Sequence, residues 1–326
     1  MASSEQIKAL LLSHLARDEE RFLSIALQVA AHEAHIGHGK LALELRDIVE
    51  KAKKQTQSAA LVPIAKGLKD ASGLLYATTP RVRLGDLITT TEVREKLNRV
   101  VREQRHLGML KNHGLAPRRR LLLVGPPGTG KTFTASVLAG ELGYPLFQVR
   151  LDAVITKYMG ESSAKLRQVF DAIREVRGVY FFDEFDALGT QRVSPNDVGE
   201  ARRILNSFLQ MIEQDDSNSV IVCATNHAQI LDHALFRRFD DVIQYHLPGK
   251  EEIISLLKSR LSSHVVKEFP WTEVAQKAQG LSSAEVTLSA EDAIKEMLIH
   301  EHETITEEIV ESAITDRRGM SHEMHK

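Results

Sequence analysis

The hydrophobic residues of the first 55 positions recur at helical spacing. They lie three or four residues apart, as at Ile7, Leu11, Leu15, Phe22, Ile25, Val29, Leu41, Leu45 and Ile48. Because apolar residues at this interval share one face of a helix, residues 1–55 are predicted to form three short amphipathic helices. Such helices form a small bundle or pack against a partner.

The helical pattern weakens in residues 56–83. Helix-breaking residues punctuate this stretch, at Pro63, Gly67, Gly73 and Pro80. We therefore interpret residues 56–83 as a linker with some local helix.

Short, continuous apolar runs follow the linker, at residues 121–124, 179–182 and 220–224. Strands that are buried on both faces of a parallel sheet have this composition. Residues 84–249 are therefore predicted to form an α/β domain, and the return of a helical pattern predicts a helical domain in residues 250–326. Thr306, followed by two glutamates, is a candidate helix N-cap.

Composition excludes several classes of function. The chain has 42 Lys and Arg against 44 Asp and Glu, so net charge gives no reason for binding to nucleic acid or to a membrane. No apolar run is long enough to span a bilayer, and no signal-peptide pattern is present. The single cysteine, Cys223, excludes an intramolecular disulfide and is predicted to be buried in a strand. Together these features predict a cytoplasmic protein.

The first candidate for chemistry is a phosphate-binding loop. The pattern G-x-x-x-x-G-K-[ST] is formed by Gly125, Pro126, Pro127, Gly128, Thr129, Gly130, Lys131 and Thr132. An apolar strand precedes it and a helix-compatible stretch follows it, which is the context that the motif requires. Glycines let backbone N–H groups surround phosphate oxygens at a helix N-terminus. Lys131 is expected to reach the terminal phosphates of ATP, and the Thr132 hydroxyl to bind Mg²⁺.

Two further strands end in polar residues. Residues 179–182 run into Asp183 and Glu184, and residues 220–224 run into Thr225 and Asn226. Open parallel sheets bind ligands at the carboxyl ends of their strands. We expect Asp183 to hold Mg²⁺ through water, Glu184 to polarise the attacking water, and Asn226 to lie near the terminal phosphate.

These segments, followed by Ala234-Leu235 and Arg237-Arg238-Phe239-Asp240, resemble the AAA family of ATPases in its narrow sense. The resemblance covers roughly residues 83–318. It implies an α/β P-loop NTPase fold, with a three-layer parallel sheet, a C-terminal helical lid and a small all-α region before it. It also implies a hexameric ring in which Arg237 and Arg238 reach a neighbour's ATP as arginine fingers.

Two weaker matches complete the predicted nucleotide site. Asp86 and Ile88 lie in a segment similar to the one that cradles adenine in the family. Ala284 lies in a turn that resembles the family's Gly-x-Ser-Gly-Ala-Asp lid motif, but Ser283 and Glu285 depart from that pattern.

Residues 157–162 resemble the first pore loop of AAA protein remodellers. In a ring, Tyr158 and Met159 would project into the channel and hold an extended polypeptide by packing, without reading its sequence. The alternative is that Tyr158 belongs to the hydrophobic core. Residues 192–199 are a candidate second pore loop, and Arg202 and Arg203 are candidates for coupling it to the neighbouring site.

A cluster of histidines in the N-terminal region is only a weak candidate for a metal site. His32-Glu33-Ala34-His35 is one residue too short for the H-E-x-x-H zinc motif, so we interpret these residues as solvated helix histidines.

The sequence leaves three functional hypotheses open. The first is an ATP-dependent remodeller or unfoldase of a protein client. The second is a nucleotide-gated scaffold that regulates a partner without threading it, and the third, disfavoured by the neutral charge, is a DNA-acting AAA protein. The stretch from residue 118 to residue 241 resembles stand-alone bacterial AAA ATPases that are often encoded beside a subtilisin-like serine protease. This resemblance makes such a protease a candidate partner.

Overall fold

The computed structural model of the chain describes residues 29–30, 68, 71–155, 161–188, 195–227, 233–266 and 268–324. The chain divides into two compact units, Met1–Ile64 and Ala65–Lys326. The described residues lie almost entirely in the second unit, so all but two residues of the predicted N-terminal helices fall outside them.

A six-stranded sheet forms the centre of the second unit, in the order β1-β3-β4-β5-β2-β6. The strands are β1 (Leu75–Thr78), β2 (Arg120–Val124), β3 (Leu146–Val149), β4 (Val179–Phe182), β5 (Val220–Thr225) and β6 (Asp241–Gln244). All neighbouring pairs are parallel except β1 with β3. The three predicted apolar runs are confirmed as β2, β4 and β5, and Cys223 is buried within β5.

Helices follow the strands along the described part of the chain. They are α1 (Thr91–Arg105), α2 (Leu107–Asn112), α3 (Lys131–Leu142), α4 (Leu151–Val154), α5 (Glu161–Glu175), α6 (Pro195–Gln214), α7 (His233–Phe236), α8 (Lys250–Leu261), α9 (Trp271–Lys277), α10 (Ser283–Ile299) and α11 (Glu307–Met324). Two 3₁₀ turns are formed by Leu84–Asp86 and Phe185–Leu188.

Helices cover both faces of the sheet. Successive residues of a strand point to opposite faces, so neighbouring side chains pack against different helices. Phe181 of β4 belongs to a core cluster with residues of α1 and α3. Its neighbour Phe182 packs instead on Phe170 of α5 and Phe208 of α6, with ring centroids 6.3 and 5.1 Å away. Burial of each such side chain contributes about 1.5–3 kcal/mol to folding. The result is the predicted three-layer α/β fold.

Strand β1 lies within the stretch that the sequence pattern assigned to a linker. It pairs antiparallel with β3, opposite to every other pairing in the sheet. Its edge position leaves Tyr76 63% exposed. Its short apolar run is bordered by Gly73 and Pro80, the helix-breaking residues on which the linker interpretation is based.

The four C-terminal helices, α8 to α11, form a second hydrophobic cluster of their own. The cluster includes Leu257, Val274, Val286 and Val310, and Trp271 packs against it. Helix α11 begins directly after Thr306, as the sequence predicted, with two glutamates in its first turn. Among the described residues, no helix is both long and apolar enough to cross a membrane.

Ionic contacts fix the start of β2, the strand that carries the phosphate-binding loop. The buried Arg119 guanidinium pairs with the Asp215 carboxylate at the end of α6. The Asp240 carboxylate accepts hydrogen bonds from the backbone N–H groups of Arg119 and Arg120, both at 2.9 Å. Since Asp240 closely follows Arg237 and Arg238, these bonds also anchor the chain that carries the arginine pair.

Candidate active site

Three adjacent strands bring the predicted site residues to one edge of the sheet. Strand β4 ends before Asp183, β5 ends at Thr225, and β2 ends before Gly125, in the spatial order β4-β5-β2. The backbone N–H of Gly125 donates to the Thr225 carbonyl oxygen over 3.3 Å. The carboxyl ends of these strands therefore form one continuous site, as expected for an open parallel sheet.

The phosphate-binding loop fits closely between two other parts of the chain. Gly125 and Gly128 have φ values of 151° and 72°, a region that glycine tolerates best. A Cβ atom on Gly125 would lie 2.3 Å from the Tyr245 carbonyl oxygen, and one on Gly128 would lie 2.5 Å from Ser282 Oγ. The loop thus requires glycine at both positions for backbone conformation and for space.

Lys131 is the first residue of α3, and its side chain is buried against the phosphate-binding loop. Its Nζ donates to the carbonyl oxygens of Gly125 and Pro126, both at 2.7 Å. Burial lowers the pKa of the Lys131 ammonium, while the charges of Asp183 and Asp186 oppose this shift. A phosphate oxygen would offer this desolvated cation a stronger, charge-assisted partner than a neutral carbonyl.

Thr132 and Asp183 meet although they are far apart in sequence. Thr132 Oγ1 donates to one carboxylate oxygen of Asp183 over 3.0 Å, and the backbone N–H of Glu184 donates to the other over 3.0 Å. A hydroxyl and an oriented carboxylate are hard oxygen ligands of the kind that Mg²⁺ prefers. These residues therefore fit a magnesium ion shared with the phosphates of a nucleotide.

Glu184 is exposed and adopts an unusual backbone conformation. Its φ of 49° lies in the left-handed region, which costs a residue with a Cβ atom about 1–2 kcal/mol. Such strain is frequently found where a side chain must be aimed at a reacting group.

Asp186 is a site residue that the sequence reasoning missed. Its carboxylate accepts a hydrogen bond from the Thr225 hydroxyl over 2.9 Å, and Thr225 Oγ1 in turn accepts one from the His227 N–H over 3.0 Å. These bonds brace the chain on both sides of the half-buried Asn226. No local pattern of the sequence marks Asp186, because its partner Thr225 is 39 residues away.

The lid contacts the loop directly. The backbone N–H of Ala284 donates to the Gly128 carbonyl oxygen over 2.9 Å. Ser282 caps α10, and Glu285 completes the capping box by accepting from the Ser282 N–H over 2.7 Å. The departure from the family's pattern at Glu285 thus preserves the cap.

The segment predicted to cradle adenine is only partly turned toward the loop. Asp86 is exposed, and its carboxylate accepts from the Arg83 N–H over 2.7 Å. Ile88 is half-buried. Leu87, which the sequence reasoning did not single out, is buried and approaches Gly130, with its Cδ1 3.9 Å from the position of a Cβ atom there.

The two arginines of the candidate finger have different surroundings. Arg237 is exposed, whereas Arg238 Nε lies 2.8 Å from Glu213 Oε1 on α6. Tyr158 and Met159 lie outside the described residues, as do residues 192–194 and the side chain of Arg202. Arg203 is exposed on α6.

Comparison with known proteins agrees with this geometry. Residues 121–247 match the family described as "ATPase family associated with various cellular activities (AAA)". The chain is 35% identical to "Uncharacterized AAA family ATPase y4kL" of Sinorhizobium fredii, over 97% of this chain and 96% of that protein.

Other relatives match part of the chain. The "ATP-dependent zinc metalloprotease FtsH" of Methylococcus capsulatus is 32% identical over 66% of this chain, which spans 35% of that protein. The crystal structure of the FIGL-1 AAA domain superposes with a TM-score of 0.62 at 21% identity, covering 78% of this chain and 90% of that one. At that identity the likeness is one of fold.

The contact between lid and loop predicts unequal effects of two glycine substitutions. Gly128→Ala and Gly143→Ala share a positive φ, 72° and 69°, but only Gly128 has atoms within reach of the added Cβ. Both substitutions cost about 1–2 kcal/mol of backbone strain. Overpacking against Ser282 adds about 1–3 kcal/mol at Gly128. We expect Gly128→Ala alone to weaken ADP binding, by about tenfold in titration calorimetry.

Ser282→Gly removes the two nearest opposing atoms and leaves only Ala284 Cβ, 3.3 Å from the added Cβ, so combining it with Gly128→Ala is expected to restore part of the lost affinity. Equal ADP affinities for the two single glycine variants would show that the lid contact has no bearing on the loop.

Proposed function

We propose that this chain, which belongs to the AAA family of ATPases and hydrolyses ATP, does so at the interfaces of a ring of identical subunits and thereby remodels a protein client. The observation that carries the proposal is the assembled set of Lys131, Thr132, Asp183 and Glu184, in a chain that also exposes an arginine, Arg237. We further propose that the ring is a hexamer and acts in the cytoplasm.

The chemistry proposed for the site follows from the side chains. Thr132 and Asp183 would hold Mg²⁺, which supplies charge neutralisation at the phosphates when bound. Lys131 leaves its two carbonyl partners and binds the terminal phosphate oxygens. Glu184 takes a proton from water as the water oxygen bonds to the γ-phosphorus, and the bond from that phosphorus to the bridging oxygen breaks to release ADP. Asn226 orients the water and the γ-phosphate.

The exposure of Arg237 supports action on a neighbouring subunit. A guanidinium directed at solvent is available to a second copy of the chain, and Arg238 is held beside it by Glu213. An arginine that stabilises the transition-state charge from outside contributes about 10³–10⁵ in rate. We assign Arg237 and Arg238 this role.

Remodelling is proposed from the sequence between α4 and α5. Helix α4 ends at Val154 and α5 begins at Glu161, so residues 155–160 connect two helices that follow the third strand of the sheet. Tyr158 and Met159 lie in this connection and would grip an extended polypeptide in the channel of the ring.

The second candidate function is a nucleotide-gated scaffold that switches a bound partner. The sequence resemblance to ATPases encoded beside a subtilisin-like serine protease favours a protease as that partner or as the recipient of the client. In either function, the N-terminal region of residues 1–55 is the proposed binding element for client or partner.

Mixed rings test the shared site. Subunits with Arg237→Ala keep an intact loop, and subunits with Lys131→Ala keep intact arginines, so each variant alone is expected to be nearly inactive. Mixing them creates interfaces that combine the intact parts, and ATPase activity is expected to return in part.

The control mixes Arg237→Ala with the double variant Lys131→Ala/Arg237→Ala, which leaves every interface without Arg237. A mixture no more active than its control would exclude action in trans. The same design applies to Arg238→Ala.

Tyr158→Ala distinguishes threading from scaffolding. The client is first captured with the Glu184→Gln form in ATP, and its ATP-dependent processing is then measured. Threading predicts that Tyr158→Ala loses processing and keeps basal ATPase within about twofold, because an aromatic grip acts on the client and leaves the nucleotide site intact. The matched control is Tyr76→Ala, which removes an exposed tyrosine from the sheet edge. Normal processing by Tyr158→Ala would favour the scaffold.

A further inference from the structure

A buried polar pair lies behind the phosphate-binding loop. Tyr245, directly after β6, is 2% exposed, and Thr134, in the first turn of α3, is 0% exposed. The two hydroxyl oxygens are 2.6 Å apart. The surrounding core cluster is otherwise hydrophobic. A buried polar pair in such surroundings requires an explanation, because burying polar groups is costly unless they are hydrogen-bonded.

The direction of the hydrogen bonds follows from counting protons. Thr134 Oγ1 donates its single proton to the Gly130 carbonyl oxygen over 3.0 Å. Tyr245 must therefore donate to Thr134, which gives a chain from the Tyr245 hydroxyl through Thr134 to Gly130. The backbone N–H of Thr134 also donates to the Gly130 carbonyl, over 2.9 Å. Gly130 thus has two donors fixed on one carbonyl oxygen.

A fixed Gly130 carbonyl determines where the next N–H points. The peptide unit is planar and trans, so the Gly130 C=O and the Lys131 N–H point in opposite directions. Because the carbonyl is directed into α3, the Lys131 N–H is directed out of the helix N-terminus. Backbone N–H groups at such a terminus are the donors that bind phosphate.

Tyr245 also holds the other end of the loop. Its backbone N–H donates to the Val124 carbonyl over 2.6 Å, and its own carbonyl oxygen lies 2.3 Å from the position of a Cβ atom on Gly125. The chain then enters the lid, whose first helix starts at Lys250. One residue therefore contacts both ends of the loop and begins the connection to the lid.

We propose that Tyr245 is a positioning residue for the nucleotide, which acts through Thr134 to orient the Gly130–Lys131 peptide toward the phosphates. Both residues are buried behind the loop, so in this proposal neither touches the nucleotide itself. The inference rests on nucleotide binding by the loop and is independent of the ring, the arginine fingers and the pore loop.

The protonation state of Tyr245 suits the role. Burial raises the pKa of Tyr245 to about 12. The hydroxyl consequently keeps its proton and remains a donor throughout the pH range in which the enzyme is assayed.

The test compares Tyr245→Phe with Tyr180→Phe in the full-length chain. Tyr180 is equally buried, and its hydroxyl shares one proton between the carbonyl oxygens of Ala172 and Val176, each 2.9 Å away, at the end of α5. Both variants lose one buried hydroxyl, but only Tyr245 is connected to the loop. The measured quantities are the Kd of a fluorescent ADP analogue, the KM and kcat for ATP, and the Tm.

We expect Tyr245→Phe to raise the Kd and the KM about three- to tenfold, the range that corresponds to one neutral hydrogen bond. The kcat should change little, because the peptide contact serves the bound substrate and the transition state alike. Tyr180→Phe should lower the Tm without moving the Kd. A Kd unchanged in Tyr245→Phe, or raised equally in Tyr180→Phe, would overturn the proposal.

Substitutions at Thr134 provide an independent test, which still decides the matter if Tyr245→Phe does not fold. Thr134→Ser keeps the hydroxyl and should bind the ADP analogue with nearly normal affinity. Thr134→Val keeps the shape without the hydroxyl and should reproduce the Tyr245→Phe effect. The double variant Thr134→Val/Tyr245→Phe should be no weaker than either single variant, since both break the same chain. Equal affinities for Thr134→Ser and Thr134→Val would contradict the proposal.

Discussion

The parallel pairing of β4, β5 and β2 is the constraint on which the site depends. In this pairing Val124 lies beside Thr225, so β2 and β5 end at the same level, and Phe182 lies beside Cys223, so β4 ends two residues earlier along its neighbour. Neighbouring strands are about 4.8 Å apart. The residue after β4, Asp183, is therefore close enough to the start of α3 to accept a hydrogen bond from Thr132. A shift of one residue in either pairing would reverse the faces of a buried strand and separate these side chains.

Contacts from outside the sheet complete the phosphate-binding loop. The lid approaches through Ser282 and Ala284 at Gly128, and the residue after β6, Tyr245, contacts Gly125 and reaches Gly130 through Thr134. The loop is thus held from two directions, by the residue that precedes the connection into the lid and by the start of α10 within the lid. This arrangement links the geometry of the phosphate site to the position of the lid, because neither can shift without disturbing shared hydrogen bonds.

Much of this fold and part of the site could be predicted from sequence, for a physical reason. Strands buried on both faces are continuous apolar runs, so β2, β4 and β5 were visible, and the glycines of the loop are required locally. Strand β1 was missed because its short apolar run lies between Gly73 and Pro80, in a stretch that resembles a linker. The bonds of Asp186 with Thr225 and of Thr134 with Tyr245 join residues 39 and 111 positions apart, and no local pattern encodes them. The roles of Tyr158, Met159 and the arginine pair stay predictions, since they depend on a neighbour or a client.

The most direct test of the proposed chemistry is single-turnover ATP hydrolysis by Glu184→Gln. Glutamine is nearly isosteric but cannot accept the proton of the attacking water, and a general base contributes about 10²–10⁴ in rate. We expect this variant to bind ATP with normal affinity and to hydrolyse it slower by about that factor. Hydrolysis at close to the normal rate would contradict the assignment of Glu184 as the general base. It would also contradict the interpretation that the carboxyl ends of these strands form the catalytic centre.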